Sequence, residues 1–161
     1  MTDERAVVFV EIPAGSRNKY EYDAELGGIV LDRRLFTAMA YPADYGYVEG
    51  TLGEDGDPLD ALVLVADPTF PGCRIRVRPI GVFHMTDEKG PDEKLLCVPL
   101  ADPSFERVRD IHDVTAELRD EIEHFFQRYK ELEPSKRTET RGWGNRSEAS
   151  AILSAARTRT G

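Results

Sequence analysis

The chain has 161 residues, 40% of them apolar and 9% aromatic, enough to bury one core and too few for two comfortable ones. Its formal net charge of −9 opposes binding to a nucleic-acid backbone, which needs a basic face, and repels any anionic substrate unless a bridging cation intervenes. The start "MTDERAVVFVEIP" lacks the pattern of a signal peptide, no apolar run reaches transmembrane length, and Cys73 and Cys97 have neither Cys-x-x-Cys spacing nor histidine company, so a cytoplasmic protein with reduced thiols is expected.

In chain order, residues 6–12, "AVVFVEI", are β-branched and aromatic and predict a strand. "NKYEYD" alternates, so Lys19 and Glu21 share one face while Tyr20 and Tyr22 take the other. "GGIVLDR", residues 27–33, predicts the next strand, and strand-like runs follow at 47–52, 61–66, 74–83 and 95–100, cut by turn signals such as "EDGDP" and "EKGPDE". Several short strands at close spacing predict an antiparallel barrel or sandwich. After Asp113 the period changes. In "TAELRDEIEHFFQRYKEL" the residues Leu118, Ile122, Phe125, Phe126 and Tyr129 fall on one stripe of a helix, which Pro134 is expected to close. A second helix is expected from Asn145, capped by that side chain with Glu148 answering three residues on, and with Ile152 and Leu153 as its apolar face. "RTRTG", residues 157–161, reads as a frayed tail. No repeat or linker interrupts the chain, so one domain over residues 1–161 is expected, its helices packed on the strands.

The stretch "EDGDPLDALVLV", residues 54–65, crowds Glu54, Asp55, Asp57 and Asp60 before a strand. Carboxylates so close repel one another and are costly to desolvate when nothing opposes their charge. An EF-hand loop fails as an explanation, because counted from Asp55 the fifth position is Leu59, the sixth Asp60 and the twelfth Ala66. What remains is a tight turn, with Gly56 free in its dihedrals and Pro58 fixed, that aims three aspartates into one space; taken alone, it is as readily a solvated cap on a strand. A second acidic turn, "MTDEKGPDEK", sets Asp87, Glu88, Asp92 and Glu93 after another apolar strand, with Lys94 at its end. Two such turns can face one another across a barrel mouth and offer the all-oxygen surroundings that hard cations such as Mg²⁺ prefer. His84, His112 and His124 form no ligand spacing. Lys19, Arg33, Lys94 and Lys130, with the phenols of Tyr41 and Tyr45, complete what a phosphate–metal site needs.

The blocks "VEIPAGSRNKYEYD", "LDRRL", "YPADYGYVEGTLGEDGDPLDALVL", "MTDEKGPDEK" and "HFFQRYKELEP", in this order, resemble the soluble, Mg²⁺-dependent inorganic pyrophosphatases of the bacterial type (family I) over nearly the whole chain. The resemblance implies an α+β, mainly β fold: a five-stranded barrel of the oligonucleotide-binding type with helices packed outside, assembled as a homohexamer. Such a fold is no argument for nucleic-acid binding. It implies Asp55, Asp60 and Asp92 as ligands of a first Mg²⁺, with Asp60 shared by a second, and Asp87 with Asp92 around a metal that arrives with substrate. Glu21 and Glu11 fit accessory metal positions and Glu88 a supporting one. Lys19, Arg33, Tyr45, Lys94, Tyr129 and Lys130 match the groups that hold the two phosphates. The implied reaction is hydrolysis of pyrophosphate to two phosphates by in-line attack of a metal-bridging hydroxide, without a covalent intermediate. Asp57 or Asp92 would take the proton, and Mn²⁺ or Zn²⁺ can replace Mg²⁺. A metal- or phosphate-binding module without turnover would show a damaged acidic or basic set, and none is seen. An oligonucleotide binder fails on charge, while longer polyphosphates and nucleotides stay open as side substrates.

Overall fold

In the computed structural model, which describes residues 4–160, "AVVFVEI" is strand β1 (Ala6–Ile12) and buries every second residue, the period of a half-buried strand. Strands β2 (Asn18–Asp23) and β3 (Gly28–Arg34) pair with each other as a separate hairpin. Next come β4 (Asp44–Val48), β5 (Asp60–Val63), β6 (Arg74–Asp87), β7 (Gly90–Pro91) and β8 (Lys94–Pro99). The order β1-β4-β5-β8-β6, with β6 pairing back onto β1, closes a ring of five strands. This is the expected barrel of the oligonucleotide-binding type, and closure removes the exposed edges an open sheet would carry. Gly46 of β4 sits close against β1: a Cβ there would collide with the Phe9 carbonyl.

Helix α1 (Ala116–Arg128) and helix α2 (Arg146–Thr158) cover opposite faces of the sheet. Leu62 and Leu96 pack in one cluster with Ile122, Phe125 and Phe126 of α1. Their neighbours Ala61, Val63, Leu95 and Cys97 pack in the other with Ala149, Leu153 and Ala156 of α2. Burial on both faces explains why β5 and β8 read as continuous apolar runs without alternation.

Several boundaries differ from the sequence expectation. The run at 47–52 pairs only through Val48, where Thr51 Oγ1 donates to the Val48 carbonyl at 2.7 Å and accepts from Leu59 N–H at 3.0 Å, turning the chain. The next run stops at Val63. Strand β6 continues past Phe83 to Asp87 because it pairs with β9 (Thr138–Gly144), which was not expected from the sequence. The polar sequence "TETRGWG", with Gly142 at φ +84°, has little strand propensity of its own and relies on β6 for its ladder. Helix α1 ends at Arg128, with Tyr129 as its cap, well before Pro134. Residues 157–158 belong to α2 and are not frayed; Leu52 N–H donates to the Ala156 carbonyl at 2.9 Å, and Arg159 Nη1 to the Leu52 carbonyl at 3.2 Å. Gly161 lies outside the described residues. Asn145 caps α2 as expected, accepting from Glu148 N–H at 3.0 Å, but the Glu148 side chain turns to His84 Nε2 at 2.7 Å. The buried face of α2 is Ala149, Leu153 and Ala156, with Ile152 only partly covered.

Candidate active site

The first acidic turn is held by its own hydrogen bonds. Gly53 N–H donates to the Asp57 carbonyl at 2.7 Å and Asp57 N–H to Asp55 Oδ1 at 3.1 Å. Gly56 takes φ +88°, which a residue with a Cβ adopts only under strain. Strand β5 begins at Asp60, and its parallel pairing with β8 sets Asp60 beside Lys94. The second turn leaves β6 at Asp87, reverses through Gly90, and is tied down by Asp92 N–H donating to the Met85 carbonyl at 2.9 Å.

Lys94 lies where the two turns meet. Its ammonium, 1% exposed, donates to Tyr45 Oη at 2.6 Å, Asp60 Oδ2 at 3.0 Å and Asp92 Oδ2 at 3.0 Å. These use all three of its donors, and the rings of Tyr45 and Phe126 cover it at 5.0 and 5.1 Å. Burial works against the charge, but Asp60 and Asp92 hold the ammonium pKa well above its usual value. Burial pushes the Asp60 carboxyl up to about 7 against the pull of Lys94. At Asp92 burial raises the pKa as well, but there Lys94 prevails and holds the carboxyl below the usual range.

Around this centre is a cavity of about 570 Å³, and every residue that the family resemblance implied as a ligand, substrate contact or base lines it. Lys130, just past α1, has its Nζ 3.9 Å from both Asp87 and Glu88. Glu11 of β1 accepts from Tyr22 N–H at 2.9 Å, and burial raises its carboxyl pKa, as it does that of Asp55. The hairpin contributes Lys19, 3.6 Å from Glu21, and Arg33. Tyr41 does not join them: it is buried in the core against Phe125 and Tyr45. None of His84, His112 and His124 lines the cavity.

Four residues that the sequence did not single out bear on the site. Lys89 and Lys136 line the cavity. Asp32 bonds both Lys19 and Arg33, and Glu133 forms an ion pair with Arg33 at 2.6 Å. Asp32 stood in plain view inside "LDRRL", but in a regular strand it would face away from Arg33. Nothing in the local sequence places Glu133 near β3, a hundred positions away.

The donor set fits a hard divalent cation: carboxylate oxygens from both turns and from β1 and β2 share one cavity, with no thiol or imidazole among its lining residues. Among the described residues no three such groups close on one point as they stand; Asp60 and Asp92 both bond Lys94. A cation whose carboxylates sit apart across a cavity retains coordinated water, as Mg²⁺ characteristically does.

The model of the family described as inorganic pyrophosphatase matches residues 8–160. An inorganic pyrophosphatase of Streptomyces coelicolor is 64% identical over 146 residues, covering 91% of this chain and 90% of the relative. One of Corynebacterium efficiens is 58% identical over 91% of this chain and 92% of the relative. The crystal structure of the inorganic pyrophosphatase from Thermus thermophilus superposes with a TM-score of 0.96 at 45% identity, covering 98% of this chain and 91% of that one. With the matched residues spanning both acidic turns, the barrel and both helices, the chain belongs to the inorganic pyrophosphatase family.

Proposed function

We propose that this protein hydrolyses inorganic pyrophosphate to two phosphates with Mg²⁺ as its working cation, as a cytoplasmic homohexamer. The observation that carries the reading is one cavity in which carboxylates of two acidic turns face ammonium, guanidinium and phenol groups from the hairpin, β4, β8 and the end of α1. Asp55, Asp60, Asp87 and Asp92 are the primary metal ligands, and Glu11 and Glu21 hold accessory positions. When bound, Mg²⁺ neutralises the polyanion and acidifies coordinated water into a nucleophile. Lys19, Arg33 and Lys130 donate to the phosphate oxygens and stabilise the leaving phosphate, while Lys94, its three donors held by Tyr45, Asp60 and Asp92, turns to phosphate once cations take over those carboxylates. Burial holds the phenols of Tyr45 and Tyr129 well above their usual pKa, so both remain hydrogen-bond donors at neutral pH. Asp57 takes the proton of the attacking water, and no covalent phosphoenzyme is needed.

Phosphate release from pyrophosphate, measured with and without Mg²⁺, tests the reading. Activity should vanish with a chelator and return with Mg²⁺, and Mn²⁺ or Zn²⁺ should support turnover in its place; undiminished release in metal-free buffer would overturn it. The exposed Leu26, Phe36, Phe70 and Leu132 offer apolar surface that symmetric contacts can bury. Light scattering should give six times the 18.1 kDa of one chain. A stable monomer at micromolar concentration rules the hexamer out.

A further inference from the structure

Asp32 is the odd residue of a β-bulge. In the pairing of β2 with β3, Lys19 opposes Arg33 and Tyr20 opposes Leu31, which leaves Asp32 without a partner across the ladder. Successive residues of a regular strand point to opposite faces, so without the bulge Asp32 would project away from Arg33. The extra residue brings both to one side. Asp32 Oδ2 accepts from Lys19 Nζ at 3.0 Å and from Arg33 Nη1 at 2.7 Å, so one oxygen bridges two cations of the cavity. Asp32 itself is not a lining residue. Lys19 has a competing carboxylate within reach, Glu21 Oε2 at 3.6 Å. Arg33 is steadied along its other edge by Glu133, whose Oε2 accepts from Nη2 at 3.2 Å.

We propose that Asp32 is a positioning residue for pyrophosphate: through the bulge it holds Lys19 and Arg33 side by side as a two-pronged phosphate clamp and holds the Lys19 ammonium more closely than Glu21 does. The inference rests on the pyrophosphatase reading and extends it to a residue that touches no substrate. A long, flexible lysine left to Glu21 alone would lose its aim at phosphate and place its charge on a metal-binding carboxylate. Held by Asp32, both cations keep free donors for the substrate.

The Asp32→Asn variant keeps the side chain's shape and removes its charge. Its KM for pyrophosphate should rise about tenfold with kcat within about threefold of wild type, the pattern of lost uniform binding. Calorimetric affinity for orthophosphate in Mg²⁺, which needs no turnover, should weaken by a similar factor. The thermal midpoint should barely move, because the group lies on the surface of a hairpin. Asp32→Glu should recover part of the affinity, and in a Lys19→Gln background the effect of Asp32→Asn should shrink, since one of its two dependants is gone. Unchanged phosphate affinity in Asp32→Asn, a fall in kcat at constant KM, or an undiminished effect in the Lys19→Gln background would overturn the inference. Wild-type protein that binds no phosphate in Mg²⁺ would instead overturn the pyrophosphatase reading beneath it.

Discussion

Replacing Asp57 with asparagine is expected to lower kcat by about 10²–10⁴-fold, the usual contribution of a positioned acid or base, while Mg²⁺ and pyrophosphate bind nearly as before. The turn is fixed by hydrogen bonds from Gly53 N–H to the Asp57 carbonyl and from Asp57 N–H to Asp55 Oδ1, neither of which uses the Asp57 side chain, so asparagine keeps its shape and loses only the proton acceptor. The proposal of Asp57 over Asp92 rests on their partners. Asp92 Oδ2 is held by Lys94 at 3.0 Å, which lowers its basicity. Asp57 makes no ion pair among the described residues, so its carboxylate is available to the attacking water. The neighbours should fail differently. Asp55→Asn and Asp60→Asn lose charge from a ligand, so added Mg²⁺ should restore part of the rate, less for Asp60 if it serves two cations. Rates measured against Mg²⁺ concentration and pH separate these outcomes. Near-normal turnover in Asp57→Asn, or its rescue by metal, would make Asp57 a ligand or a bystander and pass the proton to Asp92.

The Lys94→Met variant should be less stable than wild type by about 3 kcal/mol in metal-free buffer, the low end of what breaking a buried ion pair costs. Methionine can fill much of the space under Tyr45 and Phe126, but Asp60 and Asp92 are then left facing each other without a cation between them. Their side chains keep 28% and 13% of their exposure, so water relieves part of the repulsion and the low end applies. Mg²⁺ should narrow the difference by supplying the missing charge. Turnover at saturating Mg²⁺ should still fall by about 10²–10³-fold, the scale for losing one preorganised donor to a developing anion. Urea unfolding with and without Mg²⁺, beside a turnover assay, checks both parts. A metal-free stability equal to wild type would show that the Lys94 network does not hold the two strand ends together.

The sequence was sufficient wherever the signal is local. Alternation in "AVVFVEI" set β1, the apolar stripe from Leu118 to Tyr129 set α1, and Asn145 followed by Glu148 marked the start of α2. Composition exposed both acidic turns, and the ordered blocks around "DGDPLD" identified the residues that line the cavity. Tertiary structure decided which of them touch. The parallel pairing of β5 with β8 places Asp60 against Lys94, and closure of β6 onto β1 makes the barrel whose end carries both turns. Pairing with β6 turns "TETRGWG" into β9, packing against Phe125 takes Tyr41 into the core, and a register shift at Lys19 brings Asp32 round to Lys19 and Arg33. Periodicity and turn chemistry report on neighbours a few residues apart. Strand order, register and bulges are fixed by contacts between distant segments, and their energies leave no trace in any single stretch of the chain.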